Sequence, residues 1–180
     1  MKKAIYCYNI DDVDQHILET ITAAMEIELG LLDDGMLKMT VDEILRQQPS
    51  SNQDCTRFTL SFMLMNELSD EEMKQLLKAG EEAHWHFDPI KMFVTEHNRQ
   101  WTLETLFCEV RKEHQLFAKA EKLSEALRRA NQLDLKSFSD EQAEQMNIAL
   151  MKGYMLLKSG QFEEAQLDQT LNELTSLMGE

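Results

Sequence analysis

Residues 58–65, Phe-Thr-Leu-Ser-Phe-Met-Leu-Met, are almost continuously apolar. Successive side chains of a strand point to opposite faces, so a strand apolar on both faces must be covered on both. This run constrains the fold more than any other feature. It asks for a central strand between two layers of helix.

The flanking sequence supplies those layers. Residues 3–8 and 27–32 read as strands 1 and 2, residues 58–65 as strand 3 and residues 90–95 as strand 4. Between strands 1 and 2, Asp12 followed by Gln15 reads as a helix start, with Val13, Ile17, Ile21 and Ala24 as the buried stripe. The Asp33-Asp34-Gly35 turn follows strand 2. Thr40 with Glu43 and Ser69 with Glu72 are capping boxes, each opening a helix. The first is stopped before Pro49; the second turns Met73, Leu76 and Leu77 inward. Residues 49–54 form the clearest surface loop. No internal repeat stands out.

Strands separated by helices imply right-handed crossovers and a parallel sheet. The expected fold is α/β: a small, open, mostly parallel four-stranded sheet in the order 2-1-3-4, helices on both faces, and a helical C-terminal extension. A long helical stripe runs from near Trp101 to Leu133 through Leu103, Leu106, Phe107, Val110, Phe117, Leu123, Leu127 and Ala130. Its length of roughly 48 Å outruns a four-stranded layer. Its second half is expected to pack with two further helices. One is capped by Ser139 and Gln142 with Met146, Leu150, Tyr154 and Leu157 inward. The other carries Leu167, Leu171, Leu174 and Met178, and Gly160 marks the turn between them. The expected division is an α/β core over residues 1–118 and a helical extension over residues 119–180.

With 43% hydrophobic and 28% charged residues, the 180-residue chain has ordinary globular composition, and six Gly with two Pro leave little room for loops. The net charge of −15 is concentrated in residues 1–118, which hold 22 acidic and 11 basic side chains. Such a surface repels phosphate backbones and anionic lipid, so neither nucleic acid nor membrane is expected as a partner. Cys7, Cys55 and Cys108 are widely spaced, which suits reduced thiols in the cytoplasm. The opening apolar run ends at Asn9, too short for the core of a signal peptide. Twelve methionines are many. They read first as core filling, and second as an adaptable binding surface.

The candidates for chemistry are few. His84-Trp85-His86 with Asp88 resembles metal-ligand material, but a third ligand would have to come from His97 or Cys108, and no metal is expected. Asn9, Asp11 and Asp12 follow strand 1 as acidic residues do in phosphotransfer receivers, but strand 3 leads into Asn66-Glu67 and no strand with a partner lysine follows. No glycine-rich phosphate loop, nucleophile elbow or cofactor fingerprint is present, and no cofactor is expected. The segment of residues 95–101 lies beyond a strand end and leads into a helix N-terminus, where ligands of open α/β sheets bind and an anion can be held. Equally, Asn98 or Thr102 can cap that helix and Trp101 can staple it.

Thr95, Asn98, Trp101, Thr102 and Leu103 stand at the spacing of a T-P-x-N-x-x-W-T-L motif, with Glu96 at the proline position. With the preceding apolar strand and the Ser-Asp-Glu-Glu helix start, residues 62–114 resemble a bacterial family known only as a domain of unknown function. The resemblance implies a strand–helix fold and no particular chemistry.

The function expected is a non-enzymatic protein-interaction or regulatory module with a protein partner. The alternative is a small-molecule, anion-binding protein or enzyme whose site lies at the carboxyl ends of the strands, drawing on Asn9, Glu67, Thr95, Asn98 and Trp101. The sequence leaves the oligomeric state open.

Overall fold

A computed structural model describes residues 2–48, 57–134 and 138–179. The chain divides into two compact units, Met1–Arg111 and Lys112–Glu180. The expected loop at residues 49–54 and Cys55 lie outside the described residues.

In the first unit, β1 (Ala4–Tyr8), α1 (Asp12–Ala24) and β2 (Glu28–Leu32) are followed by a 3-10 turn (Asp34–Met36) and the short α2 (Val41–Leu45). Then come β3 (Phe62–Asn66), α3 (Asp70–Glu82), β4 (Ile90–Phe93) and the start of α4 (Leu103–Ala130). The sheet order is β2-β1-β3-β4, as expected. Helices α1 and α3 cover one face, where Ile5, Cys7, Met63 and Met65 meet Leu18 and Leu76. The other face carries Tyr6, Tyr8, Phe62 and Leu64 against Val41 and Ile44 of α2 and Leu103, Leu106 and Phe107 of α4. All five residues of β1 and of β3 are buried, so the second half of the apolar run has the both-sided cover it required, while Thr59 and Leu60 lie before the strand and are exposed.

Two outer pairs are parallel, β1 with β2 and β3 with β4, but the central pair β1–β3 is antiparallel. The sheet is thus mostly parallel, as expected, with its antiparallel pair at the centre. Among its described residues, the link from β2 to β3 holds the 3-10 turn and α2, a five-residue helix of about 7.5 Å.

That reversal creates a repeat invisible in the sequence. The first β-α-β-turn-α stretch and the second run in parallel order: Ala4 and Phe62 open their first strands, Leu18 and Leu76 are buried in the helices that follow, and Thr40 and Thr102 precede the last helix of each. In the central ladder Tyr6 pairs with Leu64, its own counterpart, and Ala4 with Asn66 just as Tyr8 pairs with Phe62. Asn9 and Glu67 share positive φ values of 57°, and so do Glu26 and His84 at 56° and 57°. Near the ends of α1 and α3, Ile27 N–H donates to Thr22 O at 2.9 Å and Trp85 N–H to Gly80 O at 3.1 Å. Each contact having an exchanged mate is the mark of a two-fold relation. The sequence carries no convincing repeat, and the correspondence lies in the backbone alone. Few side chains match between the units, because the backbone pattern needs only caps and alternating burial.

Helix α1 starts one residue earlier than expected. Asp11 is the N-cap and accepts from Asp14 N–H, and the buried stripe is Asp14, Leu18 and Thr22, leaving Val13 exposed. The capping boxes at Thr40, Ser69 and Ser139 all form.

The second unit holds the rest of α4 with α5 (Asp140–Ser159) and α6 (Glu164–Met178). Leu123, Leu127, Ala130, Met146, Leu150, Leu167 and Leu174 form its core. Gly160 ends α5 with φ 64°, the left-handed cap that its position suggested. Lys119 of α4 bridges to Asp168 at 2.6 Å and Glu164 at 2.8 Å on α6, which raises its pKa. Among the described residues, no helix is long and apolar enough to cross a membrane.

Candidate functional site

The segment of residues 95–101 is held by its own side chains. Thr95 N–H donates to Asn98 Oδ1 at 2.8 Å, Asn98 N–H donates to Thr95 Oγ1 at 3.3 Å, and Asn98 Nδ2 donates to Phe93 O at 2.8 Å. Asn98 is buried, with both ends of its amide engaged. Its geometry is that of a side chain folding the turn after β4. Trp101 is 40% exposed, and its carbonyl accepts from Val41 N–H at 3.0 Å. Thr102 takes the capping role on α4, its Oγ1 accepting from Thr105 N–H at 3.2 Å.

The antiparallel centre separates the other candidates. β1 ends at Tyr8 beside Phe62 and β3 ends at Asn66 beside Ala4, so Asn9 and Glu67 leave the sheet at opposite ends. Asn9 ties down the approach to β3: its Nδ2 donates to Thr59 O at 3.0 Å and its carbonyl accepts from Ser61 Oγ at 2.7 Å. Glu67 stands 3.7 Å from Arg99, which brings it to the 95–101 segment without Asn9.

The histidine segment also does local work. Trp85 lies against Gly80 and edge-on to Phe87, and His86 N–H donates to the buried Asp14 at 2.8 Å. Among the described residues no group of three or more His, Cys, Asp or Glu side chains is placed to hold a metal. Burial pushes the Cys7 thiol up to about 12, so it is no nucleophile at neutral pH. Burial and a hydrogen bond to Asp34 push Tyr8 to about 12 as well.

The surface most exposed in its chemistry is on α5. Its inner side buries Met146, Ala149, Leu150 and Gly153. Its outer side presents Ile148, Tyr154, Met151 at 60% and Met155 at 67% exposure. Ile148, Met151 and Met155 recur every three or four residues, so they share one stripe. A shallow groove of about 270 Å³ beside them is lined by Gln145, Ile148, Lys152, Glu173 and Leu177 of α5 and α6. Tyr154, expected inward, belongs to this outer side. The signal was in the sequence: α5 carries two apolar stripes where a helix in a hairpin needs one.

Neither the curated proteins nor the solved structures include a match to this chain. Residues 61–117, which run from β3 through the first half of α4, match the model of a family described as a domain of unknown function, DUF3783.

Proposed function

We propose that the chain is a non-enzymatic protein-interaction module that receives an amphipathic helix of a partner on the outer face of α5. The observation that carries this reading is the second apolar stripe, Ile148, Met151 and Met155 with Tyr154 beside it, left in water although the inner side of α5 already closes a core. Contiguous exposed apolar side chains mark docking sites, and methionine adapts its shape to a bound helix at small cost. The adjoining groove offers Lys152 and Glu173, 3.3 Å apart, as a polar rim to set register.

The test is a pull-down from native lysate of the source cells with the full chain and with a Met151→Glu/Met155→Glu variant. A protein captured by the first and lost by the second, with unchanged circular dichroism, is the expected result. Capture of the same proteins by both, or of none by either, removes the reading. Light scattering over a range of concentrations separates a foreign partner from a second copy of this chain. The alternative site at residues 95–101 makes Trp101→Ala the variant that loses the partner instead.

A further inference from the structure

Helix α5 carries two seams of helix-packing spacing. Met146, Leu150, Gly153 and Leu157 follow one another at intervals of four, three and four residues and face the core of the helical unit. A Cβ on Gly153 would lie 2.7 Å from Leu127 Cδ2, so α4 comes close on this side. Glu144, Ile148, Met151, Met155 and Lys158, at intervals of four, three, four and three, form the second seam, and all five are exposed. Met151 and Gly153 lie about 200° apart around the helix. A mean spacing of 3.5 residues is the repeat with which two helices lie side by side. The inner seam has its neighbours, and the outer one is left in water.

The order of chemistry along the outer seam says what fits it. Its first end is acidic, with Asp140, Glu141 and Glu144; its middle is apolar; its last residue is Lys158. Turned end for end about Met151, the seam is its own complement. Lys158 then falls opposite Glu144, Met155 opposite Ile148, and Met151 opposite itself. Neither Glu144 nor Lys158 is in an ion pair with a described residue. A foreign helix would have to carry this same order of groups, whereas a second copy carries it already. A parallel pair would instead set Glu144 against Glu144 and Lys158 against Lys158. Residues 119–180 hold seven basic and eleven acidic side chains, −4 of the net −15, so two copies repel least here.

We propose that the occupant of the α5 face is a second copy of this chain, the two α5 helices packing antiparallel about Met151. The contact is isologous: each Glu144 pairs with Lys158 of the other copy, and each Met155 enters the groove beside the other copy's Ile148. This inference rests on the reading of that face as a docking surface and names what docks there. A seam of two heptads falls below the roughly 1,200–2,000 Å² of a standard interface, so the dimer is weak.

Sedimentation velocity of the full chain from about 1 to 500 µM tests it, a range that brackets a weak dimer. The wild-type chain shifts from monomer to dimer across that range. Met151→Glu sets two carboxylates against each other at the axis and leaves a monomer throughout, with unchanged circular dichroism. Glu144→Lys and Lys158→Glu each turn both end pairs into like charges and weaken the dimer about tenfold. The double variant regains the wild-type affinity. An equimolar mixture of the two single variants associates more tightly than either alone, because every end then pairs Lys with Glu. A wild-type chain that stays monomeric yet captures another protein through Met151 and Met155 overturns this inference and leaves the docking reading standing. A dimer that Met151→Glu does not weaken, or charge variants as tight as wild type, overturns it too. A monomer that captures nothing overturns both.

Discussion

Thr40 and Thr102 meet across an isolated antiparallel bridge, each at the N-terminus of the helix that follows it. Val41 N–H donates to Trp101 O at 3.0 Å, and Leu103 N–H donates to Met39 O at 2.9 Å. One step further out, Asp42 N–H donates to Arg99 O and Glu104 N–H to Leu37 O, both within 3.0 Å. The two helix starts thus satisfy their orphan donors on each other's approach segments. Asp42 and Glu43 on one side and Glu104 on the other place negative charge at the paired positive ends.

Thr40→Ala removes the hydroxyl that accepts from Glu43 N–H, and with it one half of the capping box. The expected cost is about 1 kcal/mol in urea unfolding. Thr102→Ala on the equivalent cap is expected to cost a similar amount. A cost near zero for both would mean that the bridge, not the caps, holds these helix starts.

Gly80→Ala is expected to destabilise the first unit by about 1–3 kcal/mol, through overpacking. A Cβ at that position would lie 2.3 Å from Trp85 Cε2, inside the indole ring. The change should also shift the tryptophan emission, because Trp85 must leave its place on α3. Unchanged emission with unchanged stability would show that the ring moves aside freely.

The acid limb of stability should depend on Glu72. Its hydrogen bonds with Lys3 and with Ser69 hold its pKa down to about 2 from 4.5. A depressed carboxylate contributes stability that is fully present above pH 4.5 and is lost as pH falls toward 2. Lys3→Met should therefore lower the urea midpoint at pH 7 and leave it nearly unchanged at pH 2. An equal loss at both values would assign the effect to the packing of the lysine stem.

Iodoacetamide at pH 8 should label Cys108, which is half-buried, well before Cys7, which is buried with a thiol pushed up to about 12. The raised value also sets a sign: the stability tied to Cys7 is present below its ordinary value of 9.0 and is lost as pH rises toward 12. Peptide mapping by mass spectrometry reads the order, and denaturant should bring the Cys7 rate up to that of Cys108.

What was legible in the sequence was local. The alternation of capped helices with apolar runs located all four strands, because caps and periodicity are written in adjacent residues. The stripe of α1 was misplaced by one position because Asp14 and Thr22 are buried there. Asp14 accepts from His86 N–H and Thr22 Oγ1 donates to Leu18 O, so each polar group is satisfied and a hydrophobicity pattern could not count it inward. The candidates Asn9 and Glu67 were grouped because both follow strands, and only strand direction separates them.

The sequence by itself determined the elements, their caps and the burial of β3 on both faces, since each of these depends on residues within a few positions of one another. The tertiary structure decided the direction of the central strand pair. From that one choice follow the pairing of Ala4 with Asn66 and of Tyr8 with Phe62 at opposite ends of the ladder, and the Thr40–Thr102 bridge. Those residues lie far apart along the chain. Their meeting is set by which strands share hydrogen bonds and in which register, and hydrophobic periodicity carries no information about either.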